Sequence, residues 1–333
     1  MSEINHQQAK EFLDEISNKD NVAIIHHDDA DGFCSAILFN DHCISNGATT
    51  KTFPYNLSDS SLETLPLKPF KKIIITDVST KAIQEGIKSI KEKQIFLTDH
   101  HPKFPLPEEV LTLITNNNGY IPSSRTTYEL TNKKKWLAMI GTISDSGNFY
   151  KENDEFINTF LKEKNLTLKE FQEKYVFPYT NVIICLKETP ERIFPILSKI
   201  SSLEEIKTLE KYSEEIEKEL EKYEQKYKEE KEKYGVVSFF YYDSKLSIGK
   251  PLINRISKKH PERVQIFMTP NGEHINIGSR DQSEKIGVNK LLEAATKNLK
   301  NAKCGGHFRA SGGQIRAKDL EQFKQNIKDY IKK

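Results

Sequence analysis

Histidine and aspartate gather at four places in the first 150 residues. The first is HHDDADG at 26–32, in which His27, Asp29 and Asp31 alternate. Alternate side chains of an extended segment share a face, so these three are expected on one side of it. One imidazole and two carboxylates suit hard or borderline divalent cations such as Mn2+. The second is Asp77, closing KIIITD. The third is Asp99-His100-His101-Pro102, closing QIFLTD, and the fourth is Asp145 in IGTISDSG. Singly, an aspartate after a strand is commonly a helix cap or a turn residue, and His26 reads equally as a buried strand-end residue. Together, three successive strand ends delivering His-x-Asp-x-Asp, Asp and Asp-His-His point to a metal centre. A fifth cluster, CGGHFRASGGQ at 304–314, reads as a glycine-rich loop. Gly305, Gly306, Gly312 and Gly313 would let backbone N–H groups approach phosphate oxygens. His307 and Arg309 add charged donors, and Arg280, ending HINIGSR, is another. Glycine loops also make plain turns.

Apolar, β-branched runs precede the first three clusters: NVAIIH (21–26), KIIITD (72–77) and QIFLTD (94–99), with VLTLIT (110–115) following. Stretches that read as helical, such as Ser79 to Glu92, separate several of them. Continuous apolar strands alternating with helices predict a mostly parallel sheet covered on both faces. In such sheets ligands bind at the carboxyl ends of strands, so polar groups distant in sequence should meet at one edge. Gly32 is expected to let the chain turn tightly into the helix that follows. Asn117, Ser123, Ser124 and Arg125, in NNNGYIPSSRTTYEL, are candidates for the same site. Residues 152–200 read as helical. From Leu203 to Tyr227 apolar residues recur every three or four positions, predicting one long helix with a Glu/Lys-rich solvent face. It is expected to pack on its own protein rather than on a coiled-coil partner. Gly235 is expected to end it and to open a small α+β domain. FFYY (239–242) is the nearest approach to an aromatic stacking segment, and strand alternation predicts half of it in the core.

The 333 residues suffice for two domains. No apolar run approaches the roughly 20 residues of a membrane span, and MSEINHQQAKEF lacks the pattern of a signal peptide. Cys34, Cys43, Cys185 and Cys304 form no CxxC pair, which predicts neither a disulfide frame nor a zinc site and suits a reducing cytoplasm. The net charge of +2 hides an asymmetry. Residues 235–333 hold 19 Lys and Arg against 9 Asp and Glu, while the rest of the chain is net acidic. A basic domain behind an acidic one points to an anionic partner such as nucleic acid, although abundant surface lysine gives the same count.

HHDDADG, the isolated Asp77, the literal DHH at 99–101 and GTISDSG resemble, in order, the four motifs of the DHH phosphoesterases. GGHFRASGG resembles the signature of the DHHA1 domain that follows them in that family. The likeness covers nearly the whole chain, and the first motif resembles that of the RecJ-like and archaeal branches. Three positions depart from the family: Ile25 stands where some branches have histidine, His27 where RecJ-like members often have aspartate, and Cys304 where the usual triple glycine begins. The resemblance implies an α/β fold: a parallel-sheet DHH domain (1–200), a connecting helix (201–234) and a smaller α+β DHHA1 domain (235–333). It further implies two divalent ions, most often Mn2+ with Mg2+ as the alternative. His27 and Asp29 would hold one, Asp31 and His100 the other, with Asp77 bridging and Asp145 completing the set. His101 would contact the scissile phosphate or position the reacting groups and Asp99 would orient a histidine, while Arg280, Gly305, Gly306, His307 and Arg309 would bind substrate. The implied activity is hydrolysis of single-stranded DNA or RNA from an end. Degradation of short oligonucleotides or linear dinucleotides is the alternative within the class. Polyphosphate hydrolysis and a catalytically silent scaffold among replication or repair proteins lie outside it.

Overall fold

A computed structural model describes residues 2–56, 61–90, 92–115 and 119–332. The chain divides into two compact units, Met1–Ser213 and Glu214–Lys333.

In the first unit, β1 (Ser2–Glu3), β2 (Asn21–His27), β3 (Thr49–Tyr55), β4 (Lys72–Thr76), β5 (Gln94–Asp99) and β6 (Val110–Ile114) form one sheet. Its order is β1-β6-β5-β4-β2-β3, and every pairing is parallel. The continuous apolar runs have a simple cause: both faces are covered. Ala23, Ile25, Ile73, Ile75, Ile95 and Leu97 enter one core, while Val22, Ile24, Ile74 and Phe96 enter another behind the opposite face. The chain leaves β2 for β3 on one side and returns to β4 on the other, so the carboxyl ends of β2 and β4 flank a switch in strand order. The helix Ala30–Ser45 leads away from that edge, and its Phe33 and Ile37 share a third core with Leu137 and Ile140 of the helix Lys135–Ser144. The segment from Ser79 to Glu92 is not one helix. It breaks into a helical turn Thr80–Ile83 and a 3-10 turn Gly86–Ile90, consistent with the poor helix propensity of Gly86.

The second unit holds β7 (Glu232–Tyr234), β8 (Val237–Tyr241), β9 (Val264–Asn271), β10 (His274–Asp281), β11 (Lys303–His307) and β12 (Ala310–Arg316). They form a mixed sheet in the order β11-β12-β10-β9-β8-β7, with β8 and β9 parallel. Phe239, Ile266, Ile277 and Ile315 pack with Leu291 and Phe323 of the helices Val288–Thr296 and Leu320–Ile331. On the other face Tyr227 meets Phe240 and Phe267 at 5.4 and 5.8 Å, and its hydroxyl lies 2.8 Å from Gln265 Oε1. Phe239, Phe240 and Tyr242 are therefore all buried and only Tyr241 is exposed, because both faces of this sheet are covered. The predicted stripe splits into a 3-10 stretch, Leu203–Leu209, and the helix Glu210–Glu230. Gly235 does not end that helix; at φ +52° it turns the hairpin between β7 and β8.

Candidate metal centre

The HHDDADG segment is not extended throughout. β2 stops at His27, Asp29 caps the helix Ala30–Ser45 by accepting from Gly32 N–H at 3.0 Å, and Asp31 lies in the first helical turn. The three side chains thus leave a strand–helix turn rather than one face of a strand. Gly32 serves by lacking a side chain: a Cβ there would lie 2.2 Å from the His27 carbonyl oxygen. Asp77 follows β4 with φ +60°, a left-handed conformation that aspartate tolerates better than most residues. Its N–H donates to Thr98 O on β5 at 3.0 Å, which holds the turn against the neighbouring strand.

These turns place the groups together. His27 Nδ1 is 2.9 Å from Asp29 Oδ2 and 3.8 Å from Asp77 Oδ2. His100 Nε2 is 3.3 Å from Asp77 Oδ1 and 3.5 Å from Asp145 Oδ2. The two oxygens of Asp77 therefore face different histidines. Three sets of potential ligand atoms lie within 4.8 Å of one another: His27, Asp29 and Asp77; Asp31, His100 and Asp145; and Asp77, Asp99, His100 and His101. His101 Nδ1 is 2.7 Å from Asp99 Oδ1.

Burial shapes the protonation of the cluster. It raises the Asp31 carboxyl from 3.8 to about 8, with Asp145 adding to the effect and donors from Ser124 opposing it. It likewise raises Asp77 well above the usual range, reinforced by Asp31, Asp29 and Asp145. For Asp29 burial is the largest single influence, but the bond and charge of His27, the Gly32 N–H and Asp77 together outweigh it, and the net shift is downward. Burial presses His100 down to about 4, whereas the Asp99 carboxylate raises His101.

The donors fit divalent cations. All are carboxylate oxygens and imidazole nitrogens, the ligands of Mn2+ and Mg2+ rather than of thiophilic ions. Among the described residues no Lys or Arg pairs with Asp31 or Asp77, although both are almost wholly buried. Buried carboxylates without a cation are costly. Backbone and hydroxyl donors hold them instead. Ser123 N–H and Ser124 N–H donate to Asp31 at 2.7 and 3.0 Å, Ser124 Oγ donates to it as well, and Ser123 Oγ donates to Asp77 at 3.2 Å.

Ser123 and Ser124 thus border the cluster, but Arg125 turns away to Glu129, to Glu152 O and to Asn153 Oδ1. Asn117 lies outside the described residues. His26 is buried against Phe33 and is in none of the three ligand sets. Two residues escaped the sequence reading. Tyr120 donates to Asp145 Oδ2 at 2.5 Å and meets the His100 ring at 4.8 Å. Gly141 has no room for a Cβ, which would lie 2.3 Å from Ser124 Oγ and 2.9 Å from Asp31 Oδ1. The TISDSG spacing signals neither.

In the second unit the expected glycine loop is a hairpin of β11 and β12. Glycine is a poor strand former, which is why the sequence reads as a loop, yet ladder hydrogen bonds need no side chain. The register sets Gly305, Gly312 and Gly278 side by side across three strands. Arg280, Ala310 and His307 form the row on one side, and Asn276, Gln314 and Lys303 the row on the other. A Cβ at Gly305 would meet nothing within 4 Å. Gly306, at φ +132°, and Gly313 are instead pressed against the partner strand. Arg280 donates to Asn254 Oδ1 and Ser279 O at 2.8 Å, and Arg309 is paired with Glu284.

Comparison with known proteins matches the DHH family, N-terminal domain, to residues 21–145 and the DHHA1 domain to residues 232–333. No curated protein matches. Among solved structures, the chain resembles RecJ in complex with Mn2+ from Thermus thermophilus, with 16% identity and a TM-score of 0.70. That match covers 98% of this chain and 54% of the other, so the chain spans about half its length. It also resembles exonuclease RecJ bound to manganese (15% identity, 98% and 94% covered, TM-score 0.63). CDC45 from Entamoeba histolytica is a third (12%, 98% and 99%, TM-score 0.51). At these identities the likeness is one of fold.

Proposed function

The chain belongs to the DHH/DHHA1 family of phosphoesterases, and from that premise we propose that it is a metal-dependent phosphodiesterase hydrolysing single-stranded nucleic acid from an end. The observation that carries the reading is Asp77, whose two oxygens face His27 and His100 separately. In this reading His27 and Asp29 would hold one ion and Asp31 and His100 the other, with Asp77 shared between them and Asp145 completing the set; Mn2+ is the expected metal. When bound, two such ions would supply a lowered pKa for an attacking water and positive charge to offset that on the entering and leaving oxygens. His101 keeps Nδ1 towards the Asp99 carboxylate, which favours the charged form of the ring and orients it for a role at the scissile phosphate. The glycine floor of the second unit lets a nucleotide lie close to the sheet, flanked by Arg280 and His307 on one side and Lys303 on the other. Arg309 joins them when its pairing with Glu284 gives way to phosphate. The same residues serve the alternative of very short oligonucleotides. Because Cys34, Cys43 and Cys304 are free thiols, we place the protein in the reducing cytoplasm. No helix among the described residues is long and apolar enough to cross a membrane.

The test is metal-stripped protein returned to Mn2+ with 5′-labelled dinucleotide, pentamer, long single-stranded DNA and long RNA, beside Asp77→Ala. Trimming of the long strands, absent in the variant, is expected, and the products give the polarity. Cleavage confined to the shortest substrates favours oligonucleotide recycling. No cleavage at all rejects the nuclease and leaves polyphosphate chemistry or a scaffold in replication or repair.

A further inference from the structure

Aromatic rings form a series leading outward from the carboxylate–imidazole cluster. His101 and His100 lie 4.5 Å apart, Tyr120 meets His100 at 4.8 Å, and Tyr150 stacks on Tyr120 at 4.3 Å with 19° between the planes. The outer ring is open to solvent: Tyr150 is 39% exposed, and its neighbour Phe149 is 81% exposed. Single exposed hydrophobics are ordinary on protein surfaces. Two consecutive aromatics at the end of a ring series tied to Asp145 are a different matter.

The segment that carries them is held firmly. Asn153, fully buried, donates from Nδ2 to Tyr120 O and Gly147 O, both at 2.9 Å, and accepts from Arg125 Nη1 at 2.9 Å. A Cβ on Gly147 would lie 2.6 Å from Thr142 O, so the 3-10 turn Gly147–Phe149 is packed close to the preceding helix. Asn153 and Arg125 thus fix both strands of chain behind the Tyr120–Tyr150 stack. A ring backed by another, carried on a firmly held segment and partly exposed, has little entropy to lose on stacking a further flat group.

We propose that Tyr150, backed by Tyr120, is the stacking platform for a substrate nucleobase next to the phosphate being cleaved, with Phe149 beside it. The choice of a nucleobase rests on the phosphodiesterase reading above; the location of its contact goes beyond that reading. Every base offers a π-face, so the contact grips nucleic acid without selecting sequence.

The Mn2+-loaded full chain, titrated calorimetrically with AMP, UMP and ribose 5-phosphate, reports the contribution of the base without any cleavage. Wild type is expected to prefer the nucleotides by about ten- to hundredfold, the range of one stacked base. Tyr150→Ala should bring that preference to within about threefold, while Tyr150→Trp keeps it. Tyr150→Leu retains apolar cover over Tyr120, and its thermal melt separates lost stacking from lost fold; its preference should fall as well. A preference absent from wild type, or unchanged in Tyr150→Ala and Tyr150→Leu, overturns the proposal. A chain that cleaves the panel with that result keeps the phosphodiesterase reading and loses this one. A chain that binds nucleotides through Tyr150 yet cleaves nothing does the reverse.

Discussion

Loading the metal centre should release protons, and Asp31 and Asp77 set how many. Burial, with Asp145 next in importance, raises Asp31 from 3.8 to about 8, and burial with Asp31 beside it raises Asp77 well above its usual value. At pH 7 the ion-free fold therefore holds at least one proton on this pair, and cation binding requires both carboxylates ionised. The sign for stability follows. A carboxyl whose folded pKa is raised is protonated in the fold at pH values where the unfolded chain has ionised it. The ion-free fold gains from this below the unfolded value and loses the gain as pH climbs through the folded one. For Asp31 the interval from 3.8 to about 8, at about 1.4 kcal/mol per pH unit, gives about 6 kcal/mol, lost by roughly pH 8 and shared with Asp77 because the two titrate together. Titration of the stripped protein with Mn2+ at pH 7, in buffers of different ionisation enthalpy, should show at least about one proton released per loaded centre, and fewer at pH 9, where Asp31 has already ionised. The thermal stabilisation on adding Mn2+ should be larger at pH 8 than at pH 5. Uptake at pH 7 without proton release would mean that both carboxylates are already ionised in the ion-free fold, and would refute the reasoning.

Three further predictions concern the surroundings of the centre. Gly141→Ala forces a Cβ against Ser124 Oγ and Asp31; overpacking and a lost bond to a buried carboxylate should cost about 2–5 kcal/mol in urea unfolding. Tyr120→Phe keeps the rings but removes the donor to Asp145 Oδ2; Mn2+ affinity, measured by calorimetry, should fall about 10- to 100-fold with little change in melting temperature. Binding of single-stranded oligonucleotide to the Asp77→Ala protein, read by fluorescence anisotropy, should weaken linearly in log–log with salt at a slope near −0.7 per phosphate contacted.

The strands of the first unit were legible because their apolar runs are continuous, the signature of a sheet buried on both faces. Their carboxyl ends carried Asp77 and Asp99-His100-His101 openly. What stayed hidden depends on contacts between distant segments. Ser123 and Ser124 were legible as candidates, but their bonds to Asp31, across more than 90 positions, are encoded by no local spacing. Gly141 looks like an ordinary helical glycine until Ser124 is placed against it. The alternation His27, Asp29, Asp31 was real, but a helix cap at Asp29 converts it from a strand face into a turn. In the second unit the glycines suggested a loop, and only strand register shows Gly278, far from the GGH signature, continuing the same floor.

Stability alone does not account for the way Asp31 and Asp77 are kept. Replacing buried charges by apolar groups of similar volume is often neutral or stabilising, and here no lysine or arginine among the described residues offsets either carboxylate. The fold instead surrounds them with donors that fix the oxygens without neutralising them: two backbone N–H groups and a hydroxyl on Asp31, and a hydroxyl on Asp77. A lysine would settle the charge but fill the space. Donors hold geometry and leave the charge to be balanced by a proton or a cation, which is the arrangement expected where a divalent cation displaces the proton. A catalytically silent scaffold would have no use for the precision with which these carboxylates are held, since apolar groups in their place are often neutral or stabilising. The positioning of Asp31 by Ser123, Ser124 and Gly141 therefore supports the proposed metal centre on grounds independent of the DHH signature itself.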